Sequence, residues 1–129
     1  MTQDIARARG LFEKAEREAD PELKAHALGE ALAILASLDP DEISDSERTL
    51  IANLRLAHTR RLLAQLVGLE SASMDAWLEY VHLLLGDLRP EVERLIENDA
   101  GLRDNYTRFT GIFGRQLAEI LQKQQRDSS

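Results

Sequence analysis

The chain has 129 residues, 43% hydrophobic and 30% charged, with 23 acidic against 16 basic side chains and a formal net charge of −7. That length fits one domain able to bury its own core, and the composition is globular rather than disordered. The acidic excess disfavours broad contact with nucleic acid or anionic membranes, and the lack of cysteine excludes disulfides, thiolate metal centres and a thiol nucleophile.

Pro and Gly are sparse and fall between periodic segments, as helix punctuation does, and no strand-type alternation is visible. The first helix is expected over about Gln3–Ala19, with Thr2 as N-cap. Ile5, Ala8, Leu11, Phe12, Ala15 and Ala19 share one face, while Arg9, Glu13 and Arg17 form a solvated one. "ADPEL" then breaks the chain, with Asp20 placed to cap and Pro21 suited to the first helical position. The second helix runs to about Leu38. Leu23, Ala27, Leu28, Ala31, Leu32, Ile34, Leu35 and Leu38 spread around half of it, and Ala25, Gly29, Ala33 and Ala36 fill much of the rest. So broad an apolar surface belongs to a helix touched on more than one side.

"LDPDEISDSE" is an acidic linker in which Ser44 and Glu47 have capping-box spacing and open a third helix, expected to reach Val67 and stop near Gly68. Ser73 can cap a fourth helix with the stripe Met74, Trp77, Leu78, Val81, Leu84, Leu85 and Leu88. Pro90 begins a short fifth helix ending near Asn98. The sixth, about Leu102–Lys123, carries the regular stripe Leu102, Tyr106, Phe109, Phe113, Leu117 and Ile120, flanked by Gly111, Gly114 and Ala118, which would permit a close helix approach. The expected fold is therefore all-α. Five to six antiparallel helices form an irregular helical bundle or stacked αα-hairpins, as one domain over 1–125 with a frayed tail at 126–129.

The first two helices together have the length of a helical repeat, and "EALAILASLDPD" resembles the close of a tetratricopeptide repeat, small residues and Leu followed by Pro. It departs from that pattern at Leu35, where a small residue is usual, and no second copy follows. The resemblance implies a helical hairpin and carries no function.

Recognised chemistry is scarce. Glu79 and His82 have the i, i+3 spacing of half a di-iron site, but no second Glu-x-x-His exists and both lie off the apolar stripe, so no metal or other cofactor is expected. The acidic linker lacks the Gly of a calcium loop, and its acids suit a helix N-terminus. No serine elbow or phosphate-binding Gly loop is present, and His26, His58 and His82 sit on three different helices.

The most distinctive stretch is basic. Between Glu47 and Glu70 no acid occurs, yet Arg48, Arg55, Arg60 and Arg61 do. Taking about 100° per residue from Leu50, the apolar arc of this helix covers roughly 100° to 260°. Arg55 lies near 140° and Thr59 near 180°, inside that arc, with His58 on its margin; Arg60 and Arg61 lie outside. A guanidinium on a packing face requires a carboxylate, helix-end carbonyls or a ligand, because an unpaired buried charge costs several kcal/mol. The expected function is a non-catalytic interaction or adaptor module with a groove between helices 2, 3 and 4 near Arg55, His58 and Thr59. It would bind another protein, an acidic peptide segment or a second copy of the chain. The alternatives are a nucleic-acid-associated regulator using Arg48, Arg60 and Arg61, although duplex DNA is not the expected partner, and a small helical enzyme. The first residues lack an uninterrupted apolar run and no stretch approaches about 18 apolar residues, so a secretory leader and membrane insertion are not expected, and the cytoplasm is the expected location.

Overall fold

The turn at residues 18–20 is made by Asp20, whose extended backbone precedes Pro21 and whose Oδ1 accepts the Glu22 N–H at 2.9 Å. It joins α1 (Thr2–Arg17) to α2 (Pro21–Ala36), and the two pack as a helical hairpin. The structure is a computed structural model that describes residues 2–69 and 73–128, and within these it is all-α, with six α-helices and no strand. Ile5, Ala8, Phe12 and Ala15 are buried on α1, and Ala25, Ala27, Leu28, Ala31, Leu32 and Leu35 on α2. Thr2 lies inside the first turn of α1 rather than capping it. No described helix is long and apolar enough to cross a membrane.

The acidic linker is more ordered than a bare loop. Asp39 caps a short 3₁₀ turn at Pro40–Glu42 by accepting the Asp41 N–H at 3.0 Å. Ser44 and Glu47 then form the expected reciprocal capping box, at 3.2 Å and 3.0 Å, and open α3 (Asp45–Ala64). Two acids of the linker are thus spent on helix starts. The third helix ends sooner than the periodicity predicts: Gln65 caps it, and Leu66–Leu69 continue as a 3₁₀ turn.

Ser73 caps α4 (Met74–His82), and the expected continuation to Leu88 is replaced by a π-helical turn at Leu83–Asp87, closed by the Leu88 N–H on the Leu83 carbonyl at 2.8 Å. Pro90 explains the change. In a continuous α-helix its ring would clash with the carbonyl four residues back, at Gly86, a residue already poor at holding a helix. Widening the turn lets the chain pass into α5 (Arg89–Asn98). Asp99 then accepts the Leu102 N–H at 3.1 Å and starts α6 (Ala100–Ser128). Its last turns contain no Gly or Pro to end the helix, so it runs past the expected stop at Lys123.

α2 lies against α1 on one side and α4 on another, so it is touched on two sides as its broad apolar surface predicts. α3, α5 and α6 pack among themselves on the other half, and one continuous core joins both halves. At its centre the ring of Phe109 from α6 stacks on Trp77 of α4, with centroids 4.6 Å apart and planes 4° from parallel. The Trp77 indole N–H is buried there without a hydrogen-bond partner among the described residues. Leu102 and Phe109 are buried and Tyr106 is half-buried, as expected of a core stripe; the side chains of Phe113, Leu117, Ala118 and Ile120 lie outside the described set. A Cβ at Gly111 or Gly114 would meet nothing within 4 Å, so the close helix approach expected at these glycines is not made.

Removal of the stacked ring tests this core. Phe109→Ala should destabilise the fold by about 3–5 kcal/mol in urea unfolding followed by Trp77 fluorescence. A loss below about 1 kcal/mol would mean that the stack contributes little.

Candidate functional site

α3 is amphipathic in an unusual way, because three polar groups stand on or beside its packing face. Thr59 is fully buried, and its hydroxyl donates to the Arg55 carbonyl one turn back at 2.6 Å. Arg55 reaches across to the start of α5. Its Nε donates to Glu91 Oε1 at 2.6 Å, while Nη2 donates to Glu91 Oε2 at 3.3 Å and to the Asp87 carbonyl at 2.6 Å. The side chains are only 23% and 17% exposed. This two-pronged fork answers why a guanidinium stands on an apolar arc: it ties α3 to the junction of the π turn and α5.

His58 turns the other way, toward α1. Its ring stacks on Phe12 at 4.4 Å, and Nδ1 lies 3.1 Å from Glu16 Oε1. Burial pushes its pKa below the usual histidine value, against an upward pull from Glu13. Glu16 also pairs with Arg61, while Arg60 reaches Asp99 at 3.7 Å and Arg48 donates to the Pro40 carbonyl at 2.6 Å. Arg60 and Arg61 are 57% and 54% exposed, as their helical phase predicts. Every arginine in the basic stretch therefore has an acceptor within the chain.

Arg55 thus turns to α5 and Thr59 to its own helix, while His58 borders a small hollow with Lys24 and Leu28 of α2, so the three are not brought together against α4. The large cleft lies elsewhere, between α2 and the α4–π segment, with a volume of about 610 Å³. Its floor is Ala25, Gly29, Ala33 and Leu83, with Leu78 on one wall at 49% exposure. A Cβ at Gly29 would meet nothing within 4 Å, and Ala33 is exposed, so this end of the small-residue face of α2 is left uncovered, while Ala25 at its other end is buried. The rim carries His26, Glu30, Glu79, His82 and Asp87, with no lysine or arginine among the lining residues. His26 and His82 thus converge on one cleft although they sit on different helices, and His58 does not join them.

The sequence held a signal for the cleft floor: Ala25, Gly29 and Ala33 recur every fourth residue beside a Leu-rich face. The rim was less visible. Glu79 and His82 lie off the stripe of α4, which places them at an edge, but only packing brings His26 against Glu79, at 3.0 Å. Comparison of the chain with protein-family models, with curated proteins and with solved structures finds no match.

The two kinds of arginine should respond differently to truncation. Arg55→Ala should cost about 1.5–3 kcal/mol, since it leaves Glu91 and the Asp87 carbonyl without their charged donor. Arg60→Ala should stay within about 0.5 kcal/mol. Urea unfolding of both variants checks the contrast, and equal losses would refute it.

His58 should also impose a pH dependence. Its folded pKa is depressed, so the unfolded chain binds the extra proton more readily, and stability falls as pH drops through the unfolded value near about 6.5. The facing groups Glu13, Glu16 and Arg61 belong to the same cluster. His58→Phe should flatten the stability profile between about pH 7 and pH 5 relative to the parent chain.

Proposed function

We propose that the chain is a non-catalytic helical interaction module that receives an amphipathic segment of another protein in the α2–α4 cleft. The observation that carries this reading is the cleft itself, apolar on its floor and acidic on its rim. An exposed apolar concavity with polar edges suits a helix-in-groove partner. The occupant is a segment with one or two large apolar anchors flanked by lysine or arginine, because Glu30, Glu79 and Asp87 border the cleft with no lysine or arginine among its described lining residues. This reverses the charge expected of the partner from Arg55, whose guanidinium is engaged with Glu91. A second copy of the chain is a poorer occupant, since it would bring another seven net negative charges. Nucleic acid is disfavoured in the same way, and Arg48, Arg60 and Arg61 are each paired within the chain. The cytoplasm is the compartment we assign to such a cysteine-free, acidic module.

Gly29→Leu tests the cleft directly. The added side chain points into open space and replaces a poor helix former, so the fold should persist with helix propensity improved by up to about 1 kcal/mol. In display selection of random peptides against the parent chain, enriched sequences should pair apolar anchors with basic flanks. They should lose binding to Gly29→Leu. Enrichment of acidic sequences, or equal binding to the filled variant, would refute the reading.

A further inference from the structure

At one edge of the cleft, three potential donors from two helices converge. His26 stands one turn after Glu22 on α2 and faces Glu79 of α4. Its Nε2 lies 3.0 Å from Glu79 Oε1 and 4.0 Å from Glu22 Oε1. One donor atom from each of the three residues can be chosen so that all lie within 4.8 Å of one another, the only such grouping of His, Asp and Glu among the described residues. Two carboxylates therefore converge on one imidazole nitrogen, and a neutral ring has at most one N–H at that atom to offer them. Glu30 and Asp87 add negative charge along the same rim, where no lysine or arginine is among the described lining residues. A dication would take one donor from each of the three residues and offset the two carboxylate charges.

The geometry fits that occupant. Ligand bonds of about 2.0–2.2 Å in a tetrahedral shell place donor atoms about 3.3–3.5 Å apart. The distances to His26 Nε2, 3.0 Å and 4.0 Å, lie either side of this, and the whole set lies within 4.8 Å, so small side-chain movements close the shell. The backbones are held firmly, because Ala25 and Leu28 beside His26 are buried, as are Trp77 and Tyr80 beside Glu79. The donor side chains themselves remain open to solvent, at 44%, 55% and 31% for Glu22, His26 and Glu79. One imidazole nitrogen with carboxylate oxygens selects a borderline ion such as zinc over calcium or magnesium, which favour all-oxygen shells. Water would complete the coordination, since the donors are open to solvent.

We infer that Glu22, His26 and Glu79 form a binding site for a zinc-class divalent cation that clamps α2 to α4 at the edge of the cleft. The inference stands apart from the docking reading, since the ion needs no partner protein.

Calorimetric titration of the full chain with Zn²⁺ in a non-chelating buffer tests it. One equivalent should bind, and saturating Zn²⁺ should raise the melting temperature reversibly to EDTA. His26→Ala, Glu79→Gln and Glu22→Gln should each weaken binding by at least about tenfold, since even outer-shell partners of metal ligands contribute on that scale. Glu30→Gln should bind nearly as the parent does. The exposed positions of the donors mean that all four variants should melt like the parent in EDTA. Failure of the parent chain to bind saturably would overturn the inference. So would unchanged affinity in the His26 and Glu79 variants, which would place the ion elsewhere.

Discussion

The fork between Arg55 and Glu91 is the constraint on which the arrangement of the second half rests. α3 is not joined to α5 by sequence, and its packing face is interrupted by polar groups, so apolar burial alone would set its position loosely. The guanidinium supplies a fixed orientation: two donors to one carboxylate and one to the Asp87 carbonyl at the end of the π turn. The aliphatic stem keeps its place among apolar neighbours while the head meets α5. From there the restraint passes on. Arg103 of α6 donates to the Ile96 and Glu97 carbonyls at the end of α5, and Asn105 of α6 donates to the Leu63 carbonyl of α3, closing the three-helix unit.

The π turn and the cleft are linked by the same local accident of sequence. Pro90 obliges the chain to depart from α geometry within the preceding turn, and the wider turn at Leu83–Asp87 forms one wall of the cleft while presenting the Asp87 carbonyl to Arg55. Opposite it, α2 offers only Ala25, Gly29 and Ala33, none large enough to close the gap. A core of Leu and Ala packs tightly where Leu meets small residues, as between α1 and α2. Where small residues face a helix from a distance, the same composition leaves space. An uncovered apolar floor ringed by carboxylates is a surface better suited to a ligand than to water.

Charge is distributed with a similar division. On the α3 side the bases are matched within the chain, Arg61 and His58 sharing Glu16 and Arg60 reaching Asp99, which leaves little positive potential to attract a polyanion. On the cleft side the acids outnumber their partners. The net charge of −7 is therefore not an even coat: part of it borders the α2–α4 cleft.

Local chemistry in the sequence determined the helices and their starts. Asp20–Pro21, Ser44 with Glu47, and Ser73 each satisfy N–H groups within three residues of themselves, so no distant contact was needed to read them. Helical phase likewise placed Arg55 and Thr59 on the packing face and Arg60 and Arg61 off it, since 100° per residue is a property of the backbone alone. Glu91 as the partner of Arg55, the turning of His58 toward Phe12, and the meeting of His26 with Glu79 were decided by tertiary structure. Each depends on how helices far apart in the chain are rotated and offset against one another. That offset is set by the sum of many weak packing contacts, none of which leaves a short-range mark in the sequence. The same reason hid the cleft: Ala25, which is buried, and Gly29 and Ala33, which are not, look alike in the sequence.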